Sequence, residues 1–169
     1  ESLDKIIKES EIAVRQGAKQ LVLTDIAISE DKIAIPMLLC VGAINKHLIK
    51  KKLRGYVSIN VQTGEALDTH SFATILGVGA TTINPYLALD SLHQRYEKNL
   101  FGKFRYEECI ERYIESVNSG LLKIMSKMGI SVLSSYRGGC NFEALGLSRT
   151  IVSEYFHGVT SKISGIGLV

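Results

Sequence analysis

Apolar residues follow two alternating patterns along the chain, short continuous runs and recurrences at every third or fourth position. Short apolar runs bounded by polar residues or glycine are typical of strands, and a spacing of three or four is typical of helices. The predicted strands are 20–24, 56–61, 81–84 and 131–133. The predicted helices are 2–17, 36–51, 69–76, 85–96, 106–128 and 142–155, the last as one or two short helices around Gly146.

The spacing of apolar residues does not determine the secondary structure of two segments. Gly120 is a weak point in the helix over 106–128, because glycine lowers helix stability by about 1 kcal/mol relative to alanine. The helix is expected either to continue through this position or to break in two. The tail over 161–169 is rich in glycine and isoleucine and predicts no definite element.

The alternation of strands and helices predicts an α/β fold. Strands joined by helices form right-handed parallel crossovers, so we expect parallel βα repeats. A closed eightfold barrel takes about 250 residues, whereas this chain has 169. The chain is therefore expected to be a small open sheet or a part of a larger TIM-barrel-like domain, with residues 1–169 forming a single domain.

Composition and charge exclude several classes of protein. A hydrophobic fraction of 46% excludes disorder. The longest apolar run, Ile33–Ile44, is interrupted by Pro36 and is shorter than the roughly 20 residues of a membrane-spanning helix. The formal charge of +3 is spread over both halves, so neither a membrane nor a nucleic acid is an expected partner. A basic cluster near the end of a predicted helix is either a solvated helix terminus or a phosphate-binding patch. Its members are Lys46, Lys50, Lys51, Lys52 and Arg54.

The three cysteines predict free thiols and a cytoplasmic protein, because they are odd in number and contain no C-x-x-C pair. The four histidines show no metal-binding spacing, so no metal site is predicted. The first residue is Glu1, without a signal-peptide pattern after it. We therefore expect the chain to be a piece of a longer polypeptide.

The segment around Gly138 and Gly139 is a candidate anion site. A glycine pair before a helix start at Asn141 would leave backbone N–H groups free for an anion beside Arg137, unless that helix start is simply capped. Cys140 at the same place would be either a thiol of lowered pKa with a histidine base, His157 or His70, or a buried inert thiol. The second interpretation is favoured, because the sequence shows no orienting partner for a base.

Other polar residues follow the predicted strands, where sites of α/β proteins form. Asp25, Glu65, Asp68 and His70 lie at these positions, which are equally those of helix caps and loops, and the cap interpretation is favoured. The segment 77–79 is only a fragment of a dinucleotide fingerprint, so we interpret its glycines as a helix stop and a close packing contact.

Three motifs resemble one known family closely. They are the segments 120–131 (GLLKIMSKMGIS), 135–138 (SYRG) and 142–147 (FEALGL), and together they resemble the large subunit of glutamate synthase. The resemblance extends upstream, in order and at similar spacing, through 23–25 (LTD), 35–36 (IP), 41–43 (VGA), 63–65 (TGE), His70, 77–80 (GVGA) and 84–87 (NPYL). The chain departs from the family at Asn45-Lys46 and at 139–141, which puts family-typical contacts at these two places in question.

The resemblance implies a position between two catalytic domains. In that family an N-terminal amidotransferase domain releases ammonia from glutamine, and a flavin-dependent barrel uses it to convert 2-oxoglutarate to glutamate. The matched motifs resemble the C-terminal part of the central domain. The resemblance implies FMN and a 3Fe–4S cluster in the whole enzyme and no cofactor in this segment. Implied partners are the amidotransferase and flavin domains of the same polypeptide, and an electron-donating subunit or ferredoxin.

The resemblance therefore implies a connective role, with no catalytic residue in this segment and no activity of the segment alone. The segment would position the two catalytic domains and help to shape the ammonia route between them. The residues expected on the interdomain face are Lys123, Lys127, Tyr136, Arg137 and Glu143. Two alternatives are an independent small α/β domain that binds phosphate through the turn at 137–139, and an assembly module whose exposed surface docks other subunits.

Overall fold

The computed structural model describes residues 2–167. Its helices are α1 (Ser2–Arg15), α2 (Met37–Lys50), α3 (Thr69–Val78), α4 (Tyr86–Glu97), α5 (Tyr106–Lys127), α6 (Leu133–Tyr136) and α7 (Arg149–Tyr155). Its strands are β1 (Gln20–Thr24), β2 (Ser58–Gln62), β3 (Thr82–Asn84), β4 (Glu143–Leu147) and β5 (Thr160–Ile166), and a 3₁₀ turn spans Arg54–Tyr56.

The first three strands form a parallel sheet in the order β1-β2-β3. Val22 pairs with Asn60 in register, and Asn60 pairs with Thr82. Helices α2 and α3 connect consecutive strands, so each crossover is a parallel βα unit. The predicted α/β class with parallel βα repeats is confirmed.

One face of this sheet carries the main core. Ile59 and Val61 point into it from β2, because alternate residues of a strand lie on opposite faces. Helix α2 packs Val41, Ile44 and Leu48 on the same side, at the spacing of three to four that its sequence pattern predicts. All five side chains are essentially inaccessible to solvent.

A second, smaller core lies beneath a two-stranded parallel sheet. Strand β4 pairs with β5, and α7 packs Ile151, Val152 and Phe156 beneath them. Leu38 of α2 and Val78 of α3 pack against both cores, which joins the two parts. Among the described residues, no helix has the length and apolarity needed to cross a membrane.

Two predicted elements near the C-terminus are wrong. The expected strand 131–133 is absent, because Val132 precedes α6 and Leu133 is its first residue. The expected helix over 142–155 begins as strand β4, and α7 starts only at Arg149. Gly146 has φ 77°, a value that an α-helix does not contain, and β4 is completed by pairing with the distant β5. The structure thus assigns a strand to 160–166 of the undetermined tail, whose last two residues lie outside the described range.

Gly120 does not interrupt α5, which runs continuously over 22 residues. A Cβ at this position would lie 2.6 Å from Cγ2 of Thr69 in α3. The glycine therefore permits a close approach of two helices.

Candidate functional site

A buried carboxylate joins the loops at the carboxyl ends of β1 and β2. Asp25 is only 6% exposed, and its Oδ2 accepts a hydrogen bond of 2.5 Å from Thr63 Oγ1. Its carboxylate also accepts from the backbone N–H of Gly64 at 3.1 Å, and Thr63 Oγ1 in turn accepts from Glu65 N at 3.1 Å. Desolvation and then a hydrogen bond with Asp25 raise the pKa of Tyr86. Two separate sequence motifs, 23–25 and 63–65, thus meet through fixed polar contacts.

Two other acidic residues, which follow β2, bind the N-terminal ends of helices. The Glu65 carboxylate accepts from Met37 N at 3.0 and 3.1 Å and so binds the first N–H of α2. Asp68 is the N-cap of α3, and its Oδ1 accepts from both N and Oγ of Ser71 at 2.7 Å. The Ser71 backbone N–H and then its hydroxyl hold the Asp68 pKa below its usual range. The predicted cap interpretation is confirmed for Asp68. It is wrong for Asp25, which binds a loop instead of a helix start, and Glu65 binds the start of the distant α2 instead of capping a helix that follows it. His70 is exposed in the first turn of α3.

The second face of the three-stranded sheet carries a hydrogen-bonded polar ladder. Asn60 Nδ2 donates to Gln20 Oε1 at 3.3 Å, and Thr82 Oγ1 donates to Asn60 Oδ1 at 2.9 Å. Thr24 Oγ1 donates to Gln62 Oε1 at 3.1 Å along the same face. Parallel sheets normally have both faces covered, and their strands then read as continuous apolar runs. In this sheet the second face instead carries bonded polar side chains together with Val22, which is 62% exposed.

The sequence analysis missed this ladder. The available signal was the strict alternation of polar and apolar residues in β2, which is typical of a sheet with one solvated face. A short strand also permits a fully buried interpretation, and the identity of the cross-strand partners depends on a register that the sequence leaves open.

The two-stranded sheet has an exposed apolar face. Leu145 of β4 is 64% exposed, and its register partner in β5, Ile163, is equally accessible. Ile166 is more exposed still, but its register partner Leu147 packs against the smaller core. Leu145 and Ile163 form what we call the outer face of the β4–β5 sheet, on the side opposite Ala144, which packs against the smaller core. Large apolar side chains that are adjacent and exposed mark contact surfaces more often than isolated ones do.

The residues predicted on an interdomain face lie on different elements. Lys123 and Lys127 are exposed on α5 and form no ion pair within the described part of the chain. Glu143 is the first residue of β4, not part of a helical first turn as expected, and forms an ion pair with Lys162. Arg137 is half-buried at the end of α6.

Tyr136 does not belong to a surface. It is 1% exposed and packs edge-on against the Phe142 ring at a centroid distance of 6.1 Å. Its ring lies in the main core, so the sequence-based placement of Tyr136 on an interdomain face is wrong. The short α6 turns this side chain toward the main core.

The predicted glycine-turn anion site is also wrong. Gly138 N donates to Gly77 O at 2.8 Å, and Gly139 N donates to Tyr136 O at 3.2 Å, so neither N–H is free for a ligand. Strand β4 follows this turn in place of a helix N-terminus. The backbone N–H groups of this turn therefore do not form the phosphate site that the sequence left open.

The thiols are free and lie apart. Cys40 and Cys109 are buried as expected, and burial followed by the charge of Glu65 raises the pKa of Cys40 to about 11. Cys140 is exposed, so the favoured prediction of a buried thiol there is wrong; its Sγ donates to the carbonyls of Gly138 and His157 at 3.4 Å. The described residues contain no group of three His, Cys, Asp or Glu side chains that would hold a metal. The three thiols therefore do not form a site for an iron–sulfur cluster.

The basic cluster divides into helix contacts and one inward arginine. Lys46 Nζ donates to the carbonyls of Ser153 and Glu154 at 2.6 and 2.8 Å, near the C-terminus of α7. Lys51 lies 3.8 Å from a carboxylate oxygen of Glu11. Arg54 turns inward, and its Nε donates to Asn45 Oδ1 at 2.7 Å. Both Asn45 and Lys46 thus make specific contacts.

Comparison with known proteins identifies the same family over almost the whole chain. A family model described as the glutamate synthase central domain matches residues 1–148. The chain is 52% identical over 168 residues to the glutamate synthase (NADPH) large chain of Azospirillum brasilense and 43% identical over 166 residues to that of Bacillus subtilis. It is 41% identical over 177 residues to the chloroplastic ferredoxin-dependent glutamate synthase of Spinacia oleracea. These alignments cover 98–99% of this chain and 11% of each relative.

A solved structure shares the fold. A doubly substituted flavocytochrome b2 with sulfite bound matches with a TM-score of 0.60 at 14% identity, covering 96% of this chain and 41% of the other. This likeness concerns the fold alone and supports an α/β arrangement that is part of a larger one. The chain spans about a tenth of the length of its curated relatives. On the family model and these identities, the chain belongs to the glutamate synthase central-domain family.

Proposed function

We propose that this chain is a connective segment of a glutamate synthase large chain. The whole enzyme would make L-glutamate from glutamine and 2-oxoglutarate, with its FMN and 3Fe–4S cluster held by other parts of the polypeptide. The segment would link the amidotransferase and flavin domains and be inactive alone. Electrons would come from a nicotinamide-dependent subunit or from ferredoxin. We place the enzyme in the cytoplasm, because free thiols are typical of a reducing compartment.

The observation that carries this proposal is the outer face of the β4–β5 sheet. Parallel sheets in α/β proteins are covered on both faces, and here α7 covers one face while Leu145 and Ile163 stay exposed on the other. Transferring apolar side chains from water into an interface is favourable by about 25 cal/mol per Å². A neighbouring domain of the same polypeptide is the natural cover for this face.

The polar ladder and the Asp25 contacts support a part in the ammonia route. A wall of such a route must keep its position and offer bonded polar groups, since unpaired ones would bind ammonia and hold it. Gln20, Asn60 and Thr82 bond one another across three strands, and Asp25 fixes the loops at the strand ends. The ladder therefore has the rigidity that this role requires.

The proposal is tested in the complete large chain that contains this segment. Leu145→Asp places a charge on the outer face, and Leu100→Asp is the matched control, because Leu100 is also 64% exposed but lies in the loop between α4 and α5. We expect Leu145→Asp to lower glutamine-dependent glutamate synthesis while ammonia-dependent synthesis and glutamine hydrolysis persist, with ammonia released into solution. The measurements are the three rates and the free ammonia. Unchanged coupling in Leu145→Asp, equal to that in the control, would contradict the connective role of this face.

A further inference from the structure

Two arginines meet at the amino ends of β2 and β3 without a carboxylate between them. Arg54 belongs to the 3₁₀ turn before β2, and Arg137 follows α6. Nη2 of Arg54 and Nη1 of Arg137 both approach Thr81 Oγ1, each at 3.4 Å. Thr81 directly precedes β3, so three segments that are distant in sequence converge on one hydroxyl group.

Hydrogen-bond accounting shows a surplus of donors at this hydroxyl. Thr81 Oγ1 also accepts from the backbone N–H of Ile59 at 3.2 Å, so three donors approach an oxygen that has two lone pairs. The hydroxyl proton has no acceptor among the described residues. This hydroxyl group therefore has more donors than acceptors around it.

Arg137 holds most of the unused donors. Of the five N–H groups of a guanidinium, only the one that points to Thr81 has an acceptor in residues 2–167. Its Nε is buried and has no hydrogen-bond partner. Buried donors in native proteins are nearly always satisfied, so the Arg137 Nε indicates a missing acceptor.

The Arg54 guanidinium, by contrast, is held in place by three hydrogen bonds to other residues of the chain. Its Nε donates to Asn45 Oδ1 at 2.7 Å, Nη1 to Val57 O at 2.5 Å and Nη2 to Gly79 O at 2.8 Å. These bonds set the plane of the guanidinium and bring its charge close to Arg137 at no further conformational cost when a ligand binds. Arg54 is therefore the rigid half of the pair.

The electrostatics point to the same missing group. Neither arginine forms an ion pair with an Asp or Glu side chain within the described range. Burial first, and the charge of Arg137 second, lower the pKa of Arg54. Arginines stay protonated in proteins, so two neighbouring positive charges remain in a partly buried place. Such a pair is unfavourable unless an anion lies between or beside the two groups.

We propose that Arg54, Thr81 and Arg137 form a binding site for one oxyanion. The free N–H groups of Arg137 and the Thr81 hydroxyl would donate to its oxygens, and Arg54 would add charge. All three residues are partly exposed, so the site is open to solvent. The oxyanion is either a carboxylate from another domain of the same polypeptide or a free phosphate-type anion. The first source rests on the proposed function, whereas the site itself does not.

The first test uses inorganic phosphate as the probe on this chain. Its melting temperature is measured against phosphate concentration, with chloride keeping the ionic strength constant. We expect a saturable rise in the wild type, an affinity at least about tenfold weaker in Arg137→Gln, and wild-type behaviour in Arg95→Gln. Arg95 is exposed on α4 and serves as the matched control. No saturable rise, or the same rise in all three chains, overturns the site.

A second measurement does not depend on the folding of a variant. The side-chain Nε–H signals of ¹⁵N-labelled arginines are followed by NMR during the same titration of the wild type. The Arg54 and Arg137 signals should shift together with one affinity, while that of Arg95 stays constant. Shifts spread evenly over exposed arginines would mean nonspecific screening and would overturn the proposal.

Repeating the phosphate titration in the complete large chain distinguishes the two sources. If a carboxylate of another domain occupies the site, phosphate no longer changes the Arg137 Nε–H signal in the complete large chain, although it does so in this chain. If the shift persists, the site takes a free anion in the whole enzyme. The coupling assay with Leu145→Asp tests the connective role separately, so the two proposals fail independently.

Discussion

At the scale of single residues, Asp25 shows how one buried carboxylate holds two loops. Replacing Asp25 with alanine leaves the buried Thr63 hydroxyl and the Gly64 N–H without their acceptor. Each unsatisfied buried group costs about 1–3 kcal/mol. We therefore expect Asp25→Ala to lower the free energy of unfolding by about 2–4 kcal/mol, measured by urea denaturation.

Asp31→Ala provides the control for this prediction. Asp31 is an exposed aspartate in the loop that follows β1, and no hydrogen bond or ion pair of its side chain occurs within the described residues. Its replacement should change the free energy of unfolding by less than about 0.5 kcal/mol. Similar losses in both variants would show that the Asp25 contacts contribute nothing specific.

Single-residue roles were predictable only where they depend on neighbours in sequence. The cap role of Asp68 follows from its position before a helical pattern, three residues ahead of Ser71. The partner of Asp25 lies 38 residues away, and the burial of Tyr136 depends on α6 and the main core. The meeting of Arg54 with Arg137 on Thr81 also depends on three distant segments, so no local pattern indicates it.

At the scale of elements, the start of α3 makes stability depend on pH. The folded pKa of Asp68 lies below its usual value of about 3.9 because Ser71 donates two hydrogen bonds to the carboxylate. The stabilisation is therefore complete above the unfolded pKa and is lost as the pH falls through the folded pKa. Asp68→Asn keeps a good N-cap without a charge. Below about pH 5, its melting temperature should fall less steeply than that of the wild type.

Thermal melts between about pH 3 and 7 test this difference. Asp31→Asn is the control, since it removes an exposed aspartate away from any helix start. Its profile should run parallel to that of the wild type. Parallel profiles for the wild type and Asp68→Asn would mean that the Asp68 charge does not stabilise α3.

The contact between α3 and the segment before β4 makes a second prediction at this scale. A Cβ on Gly77 would overlap Cε2 of Phe142. Displacing a packed ring costs about 1–3 kcal/mol, more than the roughly 1 kcal/mol that alanine adds to helix stability. Gly77→Ala should therefore destabilise the chain by about 1 kcal/mol, measured by denaturant unfolding.

The effect of Gly77→Ala on stability should change sign when the Phe142 ring is absent. In a Phe142→Ala background, Gly77→Ala has no overlap to relieve and should stabilise the chain by the helix propensity of alanine. Gly55→Ala is the control with open space, because no atom lies within 4 Å of its added Cβ. An equal loss at Gly77 in both backgrounds would exclude the Phe142 overlap as its cause.

The elements themselves were predictable to different degrees. Long periodic helices and the first three strands follow from local pattern, and α5 is longer than its glycine suggested. Strand β4 lies where the sequence predicts a helix, because its apolar run is too short to distinguish the two and its strand conformation depends on pairing with β5. Non-local pairing therefore accounts for the largest error in the predicted fold.

At the scale of the whole molecule, the two sheets differ in the polarity of the side chains on their exposed faces. The β1-β2-β3 sheet presents bonded polar side chains, which water solvates well. The β4–β5 sheet presents the adjacent apolar side chains of its outer face. The polar ladder includes one exposed apolar side chain, Val22, whereas the outer face of the β4–β5 sheet has two that are adjacent. When the chain is separated from the domains that we propose as its cover, the β4–β5 sheet therefore has the stronger reason to associate.

We therefore expect this chain on its own to self-associate reversibly as its concentration rises, through the outer face of the β4–β5 sheet. Leu145→Lys should weaken the association at least about tenfold, because burying a leucine is worth about 1.5–3 kcal/mol and a lysine there resists burial. Leu100→Lys, with the same exposed fraction of 64%, should leave it unchanged. Sedimentation equilibrium at several concentrations measures all three chains. A monomeric wild type throughout, or equal weakening by both substitutions, would mean that this face is not adhesive and would also weaken the case for a domain that covers it.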